Sequence, residues 1–222
     1  LSLSQKNAFA KKTAAENINI SEISGSYSLD DCTFLLKDLS SKIKVISIDE
    51  KEKIINSGIN YSEILSKEEI PDKEYTKLFI DSTEEYKYEI ATYTALLAEK
   101  IISCRGEDFI LVSLARAGSP VGTLLKKYLK ETHNLNIPHY SISIIRGKGI
   151  DENALLHIIN KHKNTNLQFI DGWIGKGAIF SELKKNVEIF NKKYKTSLNP
   201  ELAVIADPAG LTSLAATQKD FF

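Results

Sequence analysis

Residues 109–120 read FILVSLARAGSP. The first six make an almost unbroken apolar run, the pattern of a strand covered on both faces in a parallel sheet. The next six form a small, Gly-bearing turn that leads into a helix predicted over roughly 120–132. Upstream, Ile90, Tyr93, Leu97 and Ile101 recur at helical spacing. With Ser82 and Glu85 as a capping box, they predict a long amphipathic helix over 83–104. Downstream, residues 140–145 (YSISII) read as a second strand ending in Arg146-Gly147-Lys148-Gly149. Asp151 caps a helix to about His162, and residues 167–170 (LQFI) form a third strand ending in DGWIGKGA, 171–178. A helix to about Tyr194 follows, then LAVIA at 202–206, the turn Asp207-Pro208-Ala209-Gly210 and an alanine-rich stretch read as helical. This alternation predicts an α/β fold: an open, mostly parallel sheet with helices on both faces and right-handed crossovers.

Composition narrows the function. The 222 residues carry 29 Lys+Arg against 29 Asp+Glu, so nothing favours bulk nucleic-acid binding or a membrane surface. No apolar run nears the roughly 20 residues of a membrane span, and no leader-like segment opens the chain. A cytoplasmic protein is therefore expected. The length suits a core at 83–222 plus an N-terminal accessory region at 1–82, in which residues 42–48 (KIKVISI) alternate like a strand with one wet face. The chain contains no Met, as expected of a piece of a longer protein or of a chain stripped of modified methionines.

In open parallel sheets, ligands bind beyond the carboxyl ends of the strands. Here four successive strands end in ARAGSP, RGKG, DGWIGKGA and DPAG, glycines that let backbone amides approach a ligand. Arg is scarce, three residues against 26 Lys, yet Arg116 and Arg146 both lie in these loops. The planar guanidinium fork suits phosphate in a way that Lys cannot imitate, so the clustering points to an anionic, multi-phosphate ligand. Asp171, directly after a strand, can accept hydrogen bonds from sugar hydroxyls. The Gly175-Lys176-Gly177-Ala178 turn opening a helix offers amides and a positive helix end to a phosphate. The spacing fits neither a Walker loop nor the dinucleotide fingerprint.

These loops resemble those of the type I phosphoribosyltransferases. ARAGSP is similar to their diphosphate-contacting loop, with Arg116, Ala117 and Gly118 at the Arg-Gly-Gly-type positions. DGWIGKGA is similar to their phosphoribosyl-diphosphate (PRPP) motif, Asp-Asp-x-x-Thr-Gly-x-Thr, but Gly172 replaces the second Asp and Ile174 and Ala178 replace the threonines. More closely, DGWxGKG, DPAG and SYSLDDCTFLLKDL resemble the family catalogued as cysteine protease StiP, which overlaps phosphoribosyltransferase-like proteins of tellurite-resistance and stress gene clusters. Relatives of that family continue past the position of Phe222.

The resemblance implies a phosphoribosyltransferase-type glycosyltransferase with an N-terminal hood over the acceptor, binding PRPP or a related sugar phosphate or nucleotide with Mg²⁺. Asp171 and Arg116 would carry catalysis. Ala117, Gly118, Arg146, Lys148, Gly175, Lys176, Gly177, Ala178 and Asp207 would bind substrate. No protein metal ligands and no macromolecular partner beyond a homodimer are implied. A nucleotide-sensing module that has lost transfer is the non-enzyme alternative, which Gly172 permits. A protease needs a thiolate beside a base. Cys32 lies in an apolar patch and Cys104 closes the amphipathic helix, where it is expected to be a small buried hydrophobe. His133, His139, His157 and His162 fall in none of the four loops. The protease reading then rests on the family name, with Cys32 or a residue beyond Phe222 as its nucleophile.

Overall fold

The computed structural model describes residues 22–23, 25–38, 53–54, 56 and 70–220. The strand expected at 42–48 lies outside the described residues. The chain divides into two compact units: residues 37–88, and the remainder, which carries the sheet. Strand β1 is Thr33–Phe34, helix α1 Lys73–Arg105, β2 Ile110–Leu114, α2 Gly118–His133 and β3 His139–Ile142. Then follow β4 Ile144–Ile145, β5 Gly149–Ile150, α3 Glu152–His162, β6 Leu167–Trp173, α4 Ala178–Tyr194, β7 Leu202–Ala206 and β8 Ala215–Thr217.

Six strands form one sheet in the order β1-β3-β2-β6-β7-β8, and every neighbouring pair is parallel. Alternate residues of the central strands feed two cores. Val112, Phe169 and Val204 pack with Leu155, Ile158, Leu183 and Phe190 of α3 and α4. Leu111, Ile170 and Ala203 pack with Leu97, Ile101, Leu125 and Leu129 of α1 and α2. The α/β architecture with helices on both faces is thus as expected. β2 leads by α2 to β3 on one side, while β6 leads by α4 to β7 on the other. The connections diverge between β2 and β6, and that divergence opens a crevice at their carboxyl ends. Among the described residues no helix is long and apolar enough to cross a membrane.

Four local expectations are corrected. Helix α1 begins at Lys73, not near 83: Asp72 caps it, its Oδ1 accepting the Tyr75 amide at 2.7 Å, and Ser82 lies inside the helix. A cap pattern cannot start a helix where an earlier cap follows Pro71 directly. The 140–145 strand splits after Ile142: Ile144–Ile145 leaves the sheet and pairs antiparallel with β5, which puts Arg146 and Lys148 on a hairpin tip. The alanine-rich stretch forms strand β8, not a helix, because small residues there complete the sheet beside β7. Cys104 is exposed rather than buried, on the solvent side of α1.

Candidate functional site

The crevice loops touch one another. After β2 the chain turns through Ala115, Arg116 and Ala117 into α2, and the Ala115–Arg116 peptide is cis. Gly118 is buried, and a Cβ there would stand 2.3 Å from the Ile170 carbonyl oxygen and 3.3 Å from Asp171 Cα. Only glycine allows α2 to start so close to β6. A Cβ on Gly172 would meet the Ala117 oxygen at 3.4 Å, so the Arg116–Gly118 loop forms a wall beside the end of β6.

Strand β6 runs three residues further than LQFI, so Asp171 and Trp173 belong to its end. Asp171 is partly buried, and desolvation lifts its carboxyl to a pKa of about 6, although the Gly172 amide donates to Oδ1 at 2.8 Å and opposes the rise. Beyond it, Asp171, Trp173, Gly175, Lys176, Gly177 and Ala178 line one cavity with Ile174, Ile179, Phe180 and Leu202. Gly177 caps α4 with φ +78°, a left-handed conformation that favours glycine. A Cβ on Gly175 would stand 2.4 Å from the Trp173 indole, so the ring lies directly against the turn.

The remaining expected residues sit around this cavity rather than in it. Arg116 is exposed on its loop. Arg146 and Lys148 lie on the β4–β5 hairpin, which docks on α4: the Gly147 amide donates to Glu182 Oε2 at 3.1 Å, and Gly149 packs on Asn186. Asp207 is fully buried, and its Oδ2 accepts the amides of Leu211 at 2.5 Å and Thr212 at 2.8 Å. That bend seats Leu211 against Gly177 and brings the chain round to β8. Asp207 Oδ1 is buried with no partner among the described residues.

A second polar cluster escaped the sequence reading. The parallel register Thr33↔Tyr140 sets Cys32 beside His139, 107 residues apart in sequence, with Cys32 Sγ 3.8 Å from His139 Nε2. His139 Nδ1 lies 2.8 Å from the Asp31 carbonyl, and Nε2 lies 2.7 Å from Ser113 Oγ. Burial pushes the Cys32 thiol up to about 12 and the His139 imidazole down to about 4. At neutral pH the pair is therefore thiol and neutral imidazole. No local motif could have found it, because β1 is two residues long and its pairing is decided by the fold.

Residues 25–222 match the family described as tellurite-like stress resistance cysteine protease StiP. The chain belongs to the StiP family. One curated StiP relative, the cysteine protease StiP of Acinetobacter baylyi (strain ATCC 33305 / BD413 / ADP1), is 36% identical over 212 residues. The match covers 95% of this chain and 54% of the relative, so the chain spans about half the length of that StiP protein. Among solved structures, Helicobacter pylori xanthine-guanine-hypoxanthine phosphoribosyltransferase is similar at TM-score 0.41 and 14% identity, over 59% of this chain and 82% of that one. A hypothetical protein from Neisseria gonorrhoeae with bound ppGpp is similar at TM-score 0.38 and 13% identity, over 60% and 81%. A hypoxanthine-guanine-xanthine phosphoribosyltransferase is similar at TM-score 0.38 and 12% identity, over 59% and 73%.

Proposed function

We propose that the crevice between the ends of β2 and β6 binds PRPP or a closely related phosphorylated sugar and transfers its ribosyl phosphate to an acceptor. The observation that carries this reading is Asp171, a partly buried carboxylate sharing one cavity with the Gly175–Ala178 turn at the start of α4. A carboxylate for hydroxyls beside a turn of amides for a phosphate is the donor and acceptor pattern of a sugar phosphate. Lys176 adds charge at the phosphate end, and Arg116 brings a guanidinium fork to the wall where a diphosphate would lie.

In transfer, the bond between the sugar's anomeric carbon and the diphosphate oxygen breaks and the diphosphate leaves with the electron pair. A lone pair of the acceptor forms the new bond and its proton passes to solvent. The chain's contribution is to hold the two ends in line and to stabilise charge building on the leaving group. Among the described residues no group of three His, Cys, Asp or Glu could hold a metal ion. Asp171 alone fits a magnesium ion that arrives on the diphosphate and keeps its waters, better than one held in a protein cage. Such an ion would supply neutralisation of the leaving group. Calorimetry with PRPP and Mg²⁺ tests the reading: micromolar binding lost in Asp171→Asn supports it, and no binding to the parent protein sinks it. Binding without product would leave the nucleotide-sensing module.

A second reading, a thiol hydrolase, is favoured by the Cys32–His139 distance and by the Asp31 carbonyl that orients the ring. It ranks second because both residues are buried and both are held in their neutral forms. Rapid alkylation of Cys32 in the folded protein would reverse that order.

A further inference from the structure

Directly beneath the Arg116–Gly118 wall lies the polar cluster that the transfer chemistry does not use. Its protons can be counted. The Asp31 carbonyl only accepts, so His139 Nδ1, 2.8 Å away, carries the ring proton and Nε2 is an acceptor. Ser113 Oγ stands 2.7 Å from Nε2 and 2.8 Å from the Gly118 carbonyl oxygen, one hydroxyl proton facing two acceptors. The other proton within reach of Nε2 is that of the Cys32 thiol, 3.8 Å away. Ser113 can donate to Nε2 or to Gly118 but not to both, and when it turns to Gly118 the thiol is the other donor within reach of Nε2. Without the thiol proton, Ser113 must choose between the ring and the loop.

Packing makes that choice matter. A Cβ on Gly122 would stand 2.2 Å from His139 Nε2 and 2.3 Å from Ser113 Oγ, so the first turns of α2 rest directly on the cluster. One turn earlier, Gly118 rests on the Ile170 carbonyl. A second buried bridge, Ser119 Oγ to Ser141 Oγ at 2.8 Å, ties the same turn to β3. The wall loop is thus fixed from below, and Ala117 carries its position to Gly172 at the crevice.

We propose that Ser113 and His139 are positioning residues for the Arg116–Gly118 loop, and that the Cys32 thiol completes this anchor, so that a ligand in the crevice and the chemistry of Cys32 are coupled. The coupling half rests on the sugar-phosphate reading above; the anchor half does not. One is tested without ligand and the other with it.

Without ligand, hydrogen exchange is followed in the peptide spanning 115–122. Ser113→Ala and His139→Gln should speed exchange of the amides at 116–119 about fivefold, the equivalent of one hydrogen bond. Cys32→Ala, the mildest change, should speed the same amides to a similar extent. Thr123→Val removes a buried hydroxyl on the same helix that has no partner among the described residues, and should change nothing. Equal exchange in all five proteins would overturn the anchor. With ligand, Cys32 is alkylated in a Cys104→Ser background. PRPP and Mg²⁺ at ten times the Kd should slow alkylation about tenfold, and Ser113→Ala at the same saturation should lose that protection. Protection that survives Ser113→Ala reports general stabilisation and overturns the coupling. If PRPP does not bind the parent protein, the coupling falls together with the sugar-phosphate reading, while the exchange result still decides the anchor.

Discussion

Asp171 and His139 lie on opposite sides of one wall, and burial moves both away from their ordinary ionisation, the carboxyl up to about 6 and the imidazole down to about 4. The difference is in access. His139 is engaged at both ring nitrogens and pressed by Gly122, whereas Asp171 accepts the Gly172 amide and lines a cavity with the α4 turn. A perturbed group marks a place for a ligand only where a ligand can stand beside it. The same contrast separates the two readings of function: a thiol and an imidazole in contact make a catalytic pair only if a substrate can reach them.

The contrast is sharpest in acid. His139, depressed when folded, contributes stability that is full above pH 6.5 and lost as pH falls through about 4, about 3 kcal/mol in all. Asp171, raised when folded, has the opposite sign: its contribution is full below 3.8 and lost as pH rises through about 6. The two slopes oppose each other between pH 4 and 6. Asp171→Asn should therefore uncover a steep acid loss in urea titrations, and a flat profile in that variant would break the comparison. The same variant should gain about 2 kcal/mol at pH 7 while losing PRPP binding, since the partly buried charge costs stability and serves the ligand. A variant that is no more stable at pH 7 would mean that Asp171 is well solvated.

Gly122→Ala should destabilise the protein by about 2 kcal/mol, less the helix preference of alanine, because the new methyl meets Nε2 and Ser113 Oγ. A rise in Tm would show that His139 yields easily and anchors nothing. The remaining effects are on ligand affinity rather than on stability. Arg116→Lys should weaken PRPP about five- to fiftyfold with Tm unchanged, since the loop is exposed and the fork is lost. Lys192→Ala, on the far part of α4, should change affinity by less than about twofold, because exposed charges are screened within about 10 Å. Equal affinities for Arg116→Lys and the parent protein would remove Arg116 from the site.

Much of the core was legible because its signals are local. FILVSL and LAVIA are too apolar to face water, Asp151 caps α3 by accepting the Asn153 and Ala154 amides, and Gly177 takes the left-handed conformation that opens α4. The errors came where a local pattern met a tertiary alternative. Ser82 is a good cap inside a helix that Asp72 had already started. Residues 140–145 alternate well enough for one strand, but the sheet uses them only to Ile142. Residues 214–217 have helical composition, yet the open edge of β7 takes them as a strand. The Asp171 turn was visible as a motif. The role of Asp207 as the brace of its own loop was not, since that depends on where Leu211 and Thr212 return.

By itself the sequence determined the alternation of strands and helices, the parallel sheet and the glycine-bearing loops at the strand ends, because periodicity and turn chemistry act within a few residues. Only the tertiary structure decided which of those loops meet, that Cys32 faces His139, and that Gly118 and Gly122 seat α2 on β6 and the imidazole. Those outcomes depend on strand register and helix approach between residues up to 107 apart, where close packing, rather than any local preference, selects the partner.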